Sequence, residues 1–188
     1  MSWHKDPVSA FLTRRRVVGR AGQLAALSLV AACGFRPLYK SEPDNPGAVQ
    51  AMAQIKIYNV IARKRRYDRL GQQMHNLLLD RLNPGGRPSA PAYALRTNLS
   101  VSKTETGLRI TEEATRARLT VVANFKLTDT ATRKLLLQGR ERSVNSYNIA
   151  DSEFATLSAE SDAAERAVRE ISDSIKLRLG IYFKSKHG

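Results

Sequence analysis

Cysteine and histidine are scarce in this chain. A single cysteine, Cys33, occurs among the 188 residues, so no internal disulfide can form. Of the three histidines, neither His75 nor His187 lies at a spacing that suits a set of metal ligands. We therefore expect no disulfide framework, no metal and no cofactor.

Patterns that carry catalysis are also missing. No glycine-rich phosphate loop follows a predicted strand, and no nucleophile elbow is present. Glu112 and Glu113 are adjacent, and neighbouring strand residues point to opposite faces, so the two carboxylates cannot converge on one substrate atom. A small hydrolase would need an acid and base pair that is not found, and we expect a protein without catalytic residues.

Acidic residues are few relative to basic ones. The 31 lysines and arginines exceed the 17 aspartates and glutamates, which gives a formal charge of +14. Such an excess suits nucleic acid, a membrane surface or an acidic ligand. Nucleic acid is disfavoured, because Tyr93 and Phe125 fall on apolar strand faces rather than among the charges. The 42% hydrophobic content and the length indicate one globular domain.

The N-terminal region has the pattern of an export signal. Arg14, Arg15, Arg16 and Arg20 precede the apolar run 21–32, which is shorter than the roughly 20 residues of a membrane-spanning helix. A basic segment followed by a short apolar run and small residues predicts a signal peptide over 1–32. Thr13-Arg14-Arg15-Arg16 also resembles a twin-arginine signal, so the export route stays open.

The one cysteine ends this segment. Val30-Ala31-Ala32-Cys33 resembles the lipobox of bacterial lipoproteins, and the resemblance implies cleavage between Ala32 and Cys33 with a diacylglycerol on the thiol and an acyl chain such as palmitate on the new amine. Two or more acyl chains give stable anchoring. By the sorting rules of bacterial lipoproteins, Gly34 after the lipidated cysteine suits transport to the outer membrane. The alternative is an N-terminal core helix with a buried cysteine.

The remaining chain divides into a linker and a domain. Residues 33–52 are predicted to be the lipidated N-terminus and a tether, because 40–50 contain prolines, a glycine and few apolar residues. Residues 53–188 are predicted to form a single α+β domain. Loss of residues 1–32 removes five basic side chains and one acidic one, so the domain region stays strongly basic.

Hydrophobic periodicity predicts the elements of that domain. Alternation indicates strands at 53–60, 92–103, 108–128 and 134–146, and spacings of three and four indicate helices at 67–82 and 152–183. The resulting order is β-α-β-β-β-α. We expect an α+β two-layer sandwich, with a four-stranded, mostly antiparallel sheet covered on one face by two helices.

Basic residues recur along the predicted strands. Arg109, Arg116 and Arg118 lie on the long third strand, and Arg140 and Arg142 on the fourth. They are either solvated charges that protect sheet edges, or contacts for the phosphates of an anionic amphiphile such as lipopolysaccharide (LPS).

Three segments resemble one family. CGFRPLY at 33–39, RLGQQMHNLLLDRL at 69–82 and the segment 152–179, together with the element order, are similar to the LPS-assembly lipoproteins of the LptE family. The resemblance implies a non-enzymatic outer-membrane lipoprotein on the periplasmic side. It would plug and help to assemble the LptD β-barrel and bind LPS during its delivery to the outer leaflet.

The resemblance also implies where LPS binds. Family members use basic residues near the hairpin between the second and third strands, which matches Arg109, with Arg116 and Arg118 on the same strand. A second basic position near the start of the last helix is replaced here by Ser158-Ala159-Glu160. The alternative function is a lipid-anchored periplasmic accessory protein of another envelope transport system, without a barrel partner.

Overall fold

The structure is a computed structural model that describes residues 47–108 and 114–187. The predicted signal peptide, Cys33 and Arg109 lie outside the described residues. The elements are helix α1 (Gly47–Ala53), strands β1 (Ile55–Ile57) and β2 (Ile61–Ala62), a 3₁₀ turn (Arg65–Tyr67), helix α2 (Asp68–Leu82), strands β3 (Tyr93–Leu108), β4 (Ala114–Asp129) and β5 (Leu135–Asn148), and helix α3 (Glu153–His187).

The sheet has five strands, and the prediction of four was wrong. β3, β4 and β5 are antiparallel neighbours as the alternation predicts, whereas β1 and β2 both pair in parallel with β3. Ile57 pairs with Leu95, and Ile61 pairs with Asn98. The segment that forms β1 and β2 therefore contains one residue more than the stretch of β3 that it pairs with. The extra residue interrupts the pairing, as in a β-bulge. β1 lies within the predicted first strand, 53–60, whereas β2 lies just beyond its predicted end.

The structure contains three described helices rather than the two predicted. α2 and α3 agree with the predicted helices to within a few residues. α1 was not predicted, and it lies largely within the segment assigned to the tether. Its Ala48, Ala51 and Met52 are buried, so apolar packing rather than a strong helical pattern accounts for it.

The core contains one side of each long strand together with residues from all three helices. The strand contribution is Leu95, Leu99, Val101, Ala117, Leu119, Val121, Ala123, Phe125, Leu127 and Tyr147. Helix α3 adds a stripe at three- and four-residue spacing: Ala163, Ala164, Ala167, Val168, Ile171, Ile175, Leu179 and Phe183. Leu157, predicted to begin this stripe, is instead 58% exposed. No helix in the described part of the chain is long and apolar enough to cross a bilayer.

Candidate functional site

The side of β3, β4 and β5 opposite the core is basic. Even-numbered residues of these strands point there, because side chains alternate along a strand. Its basic side chains are all exposed: Arg96, Arg116, Arg118, Lys126, Arg140 and Arg142. Among the described side chains of these strands, none at an even-numbered position is acidic. We call this surface the open face.

Strand register places like charges next to each other at one end of the open face. Arg96 pairs with Lys126, which pairs with Gln138 on β5. The next row consists of Asn98, Asn124 and Arg140. Directly opposed residues have Cβ atoms about 4.5–5.5 Å apart, and like charges at that distance destabilise a sheet. This arrangement therefore weakens the fold unless an anion neutralises it.

A groove of about 1120 Å³ lies over these two rows. Its walls come from residues 56–61, which include parts of β1 and β2, and from loop residues 87–91. These segments add Lys56 and Arg87 to the three cations of the floor. Ile61 and Pro88 provide apolar surface in the same walls. The groove can therefore contact a ligand that carries both negative charge and a less polar body.

Tyr58 organises two of the groove's cations. The Arg96 guanidinium lies 4.3 Å from the centre of the Tyr58 ring, and the Lys56 ammonium lies 5.2 Å from it. Both are within the range of cation–π attraction. The Tyr58 carbonyl is in turn 3.2 Å from Nδ1 of the buried His75. His75 thus has a structural contact, and no group of potential metal ligands occurs in the described ranges.

Two of the predicted LPS contacts, Arg116 and Arg118, lie at the other end of the open face. Arg116 pairs with Thr106 and Asn148, and Arg118 pairs with Thr104 and Ser146, near the hairpin that joins β3 to β4. Eight residues separate Arg118 from Lys126, which is about 27 Å along a strand. The structure puts Arg116 and Arg118 on the same face as the groove but does not bring them into it.

Glu160, near the start of α3, is part of a polar cluster. Tyr147 Oη donates a hydrogen bond to Glu160 Oε2 at 2.9 Å, and Lys103 Nζ donates to the same oxygen at 3.3 Å. Hydrogen bonding to Tyr147, followed by the charge of Glu160, holds the pKa of Lys103 above its usual value. Burial raises the pKa of the Tyr147 hydroxyl. The cluster thus joins β3 and β5 to α3.

Four cations of the groove were not among the predicted site residues: Lys56, Arg87, Arg96 and Lys126. Strand alternation already assigned Arg96 to the polar side of its strand, and the same rule applies to Lys126. Nothing in the sequence shows that these two residues face each other, or that Lys56 on β1 and Arg87 in the loop before β3 line the same groove. The sequence places Arg140 among several basic strand residues but does not single it out.

One family model matches the chain. The family model LptE, described as lipopolysaccharide-assembly, matches residues 53–179. No curated protein sequence matches the chain significantly. A solved structure from Caulobacter crescentus CB15, provisionally described as a lipoprotein, is similar with 25% identity and a TM-score of 0.53, covering 75% of this chain and 98% of that one.

Two further solved structures are similar at lower identity. Rare lipoprotein B from Shewanella oneidensis has 14% identity and a TM-score of 0.49, with 66% of this chain and 93% of that chain covered. A minor lipoprotein from Acinetobacter baumannii has 13% identity and a TM-score of 0.49, with 69% and 92% covered.

Proposed function

This chain belongs to the LptE family of lipopolysaccharide-assembly lipoproteins, and from that membership we propose that it serves as the lipoprotein partner of an LptD-type outer-membrane β-barrel. In this role it plugs and helps to assemble the barrel and binds LPS on its way to the outer leaflet. The proposed role is non-enzymatic. The observation that carries the proposal is the family match over residues 53–179.

The open face supports the LPS-binding part of the proposal. LPS carries phosphates, and arginine binds phosphate through paired N–H donors. The open face carries six exposed basic side chains, and no described strand residue on this face is acidic. Such a surface suits a phosphorylated ligand. Arg116 and Arg118, together with Arg109, stay the predicted contacts near the hairpin.

The N-terminal sequence supports the location. We propose that residues 1–32 are removed as a signal peptide and that Cys33 carries the lipid, which holds the domain at the periplasmic side of the outer membrane. The lumen of a large barrel is wet and polar. A domain with a charged outer surface fits that lumen better than one with a continuous apolar surface.

Copurification tests the barrel partner. The full-length lipoprotein, tagged at its C-terminus, is isolated from detergent-solubilised outer membranes of its own host. We expect an LptD-type barrel to copurify in a fixed ratio and mass spectrometry to find a diacylglycerol-modified Cys33 at the mature N-terminus. An unrelated outer-membrane lipoprotein with the same tag is the control. Absence of the barrel would contradict the proposal.

Depletion separates this function from the alternative. Loss of a translocon subunit should trap LPS in the periplasm, whereas loss of an accessory protein of another transport system should leave surface LPS unchanged. Labelling of surface LPS in depleted cells therefore distinguishes the two.

A further inference from the structure

We propose that the groove over the Arg96 and Asn98 rows binds the phosphorylated saccharide headgroup of LPS, as a site separate from the arginines near the hairpin. The inference rests on the proposed function for the identity of the lipid. Apart from Arg140, it assigns the phosphate contacts to residues that neither the family match nor the sequence pattern identifies.

The first argument is charge. Lys56, Arg87, Arg96, Lys126 and Arg140 line the groove, and all five side chains are exposed. None of the residues that line the groove is acidic. No ion pair joins any of the five to an acidic side chain in the described part of the chain. Their donors are therefore available to an anion.

The second argument is geometry. Arg96 and Lys126 are cross-strand partners, and Arg140 lies in the next row on the adjoining strand. Neighbouring strands are about 4.8 Å apart, so side chains of this length can converge on a single phosphate. Lys56 and Arg87 approach from the walls, which leaves room for a second anionic group. A volume of about 1120 Å³ is slightly above the usual range for ligand pockets, roughly 300–1,000 Å³, which leaves room for a headgroup larger than a single phosphate.

The third argument is the remaining lining, which fits a sugar. Asn98, Asn124 and Gln138 place side-chain amides on the floor between the cations. An amide both donates and accepts hydrogen bonds, as sugar hydroxyls require. Ile61, which is 67% exposed, and Pro88 supply apolar surface for the body of the ligand. A bare phosphate could accept from the amide N–H groups but would leave the amide oxygens and the apolar walls largely unused.

The fourth argument is the energetic cost of the arrangement. Facing Arg96 with Lys126 is unfavourable for folding, and binding sites commonly retain such unfavourable arrangements at the expense of stability. Removal of these charges should therefore weaken binding without weakening the fold. If the two residues had only a structural role, their removal would weaken the fold and leave binding unchanged.

Calorimetric titration tests the groove. The probe is the deacylated oligosaccharide of LPS that retains its phosphates, and the protein is the mature chain without lipid. We expect the double variant Arg96→Gln/Lys126→Gln to bind this probe at least about 10-fold more weakly than wild type, since charge-assisted hydrogen bonds are the strong ones. The midpoint temperature of thermal unfolding of this variant should equal or exceed that of wild type.

Two controls lose the same amount of charge elsewhere. Arg166→Gln/Arg169→Gln removes two exposed charges from α3, and Arg116→Gln/Arg118→Gln removes two from the hairpin end of the open face. We expect the α3 variant to bind as wild type does and the hairpin variant to lose less affinity for the headgroup than the groove variant. The dephosphorylated oligosaccharide should bind none of these proteins tightly.

The outcomes separate the two levels of proposal. Wild-type binding that is unaffected by Arg96→Gln/Lys126→Gln overturns the groove site and leaves the proposed function intact. Inorganic phosphate that binds as tightly as the oligosaccharide overturns the headgroup assignment. Failure of wild type to bind either intact LPS or its deacylated oligosaccharide contradicts the LPS-binding part of the proposed function and the groove assignment with it. Binding of intact LPS but not of the phosphorylated oligosaccharide overturns the groove assignment alone.

Discussion

A glycine in α2 governs the position of one groove wall. A Cβ on Gly71 would lie 2.9 Å from the carbonyl oxygen of Val60, between β1 and β2. The neighbour is backbone, so it cannot rotate away as a side chain would. The close packing of α2 against residues 58–61 therefore requires glycine at this position.

Gly71→Ala should destabilise the protein. Alanine is favoured over glycine in a helix by about 1 kcal/mol, but overpacking against backbone costs about 1–3 kcal/mol. We expect a net loss of up to about 2 kcal/mol in the free energy of unfolding, measured by urea denaturation, and weaker binding of the oligosaccharide. Gly85→Ala is the control, since a Cβ there meets nothing within 4 Å. A Gly71→Ala protein as stable as wild type would contradict this account.

Some single residues can be interpreted from sequence and others cannot. The assignment of Cys33 as a lipidated residue depends only on its immediate neighbours, which the sequence shows. Gly139 stands within β5 for a reason that only the structure provides: a Cβ there would lie 2.5 Å from the Phe125 ring. Phe125 belongs to the neighbouring strand, and its position over Gly139 depends on their register.

Helix α3 is joined to the rest of the fold by polar contacts along much of its length. Glu160 accepts from Tyr147 and Lys103, Glu170 accepts from Ser143 at 2.5 Å, and Asp173 accepts from Arg81. Arg178 Nε lies at ion-pair distance, 2.5 Å, from Glu141 Oε1, although the two atoms are not oriented as a hydrogen bond. These contacts fix the rotation and the register of a helix whose apolar stripe alone leaves some freedom.

The ion pair between α2 and α3 should make a small, pH-dependent contribution. Hydrogen bonding from Arg81 holds the pKa of Asp173 below its usual value. The contribution is therefore complete above the unfolded-state pKa, about 3.9, and is lost as the pH falls through the lower folded-state pKa. The Asp173 side chain is 64% exposed, which limits the contribution to less than about 1 kcal/mol.

Asp173→Asn tests this pair. At pH 7 we expect a loss of up to about 1 kcal/mol in unfolding free energy, and the difference from wild type should shrink as the pH is lowered below about 4. Urea denaturation over a pH series measures it. Asp162→Asn, at an exposed position of the same helix, should change little at any pH. A deficit that is constant with pH would exclude the ionic contribution.

At the scale of elements, the predictions succeed where periodicity is long. β3, β4, β5, α2 and α3 each extend over 14 residues or more, and their types were predicted correctly. The errors concern short elements. β1 and β2 together contain five residues and α1 contains seven, so their formation depends on packing and pairing rather than on a repeated pattern.

A higher salt concentration should weaken the binding of the LPS headgroup to the protein. The binding surface is cationic, and screening shortens the range of charge interactions from about 10 Å at 0.1 M salt to about 3 Å at 1 M. We expect the affinity for the phosphorylated oligosaccharide to fall steadily as NaCl is raised over this range. The slope should be smaller for Arg96→Gln/Lys126→Gln than for Arg166→Gln/Arg169→Gln. Affinity independent of salt would contradict a phosphate-based site.

The sequence by itself determined the order and faces of the long elements, the basic excess and the resemblance to the LptE family. These features are local or compositional: side-chain alternation and helical spacing depend on neighbours in the chain. The tertiary structure decided the parallel pairing of β1 and β2, the packing of α1 and the groove. Lys56, Arg87, Arg96, Lys126 and Arg140 come together only because inter-strand hydrogen bonds set the register and α2 returns the chain to β3. Register is set by contacts between residues far apart in sequence, and no local pattern contains it.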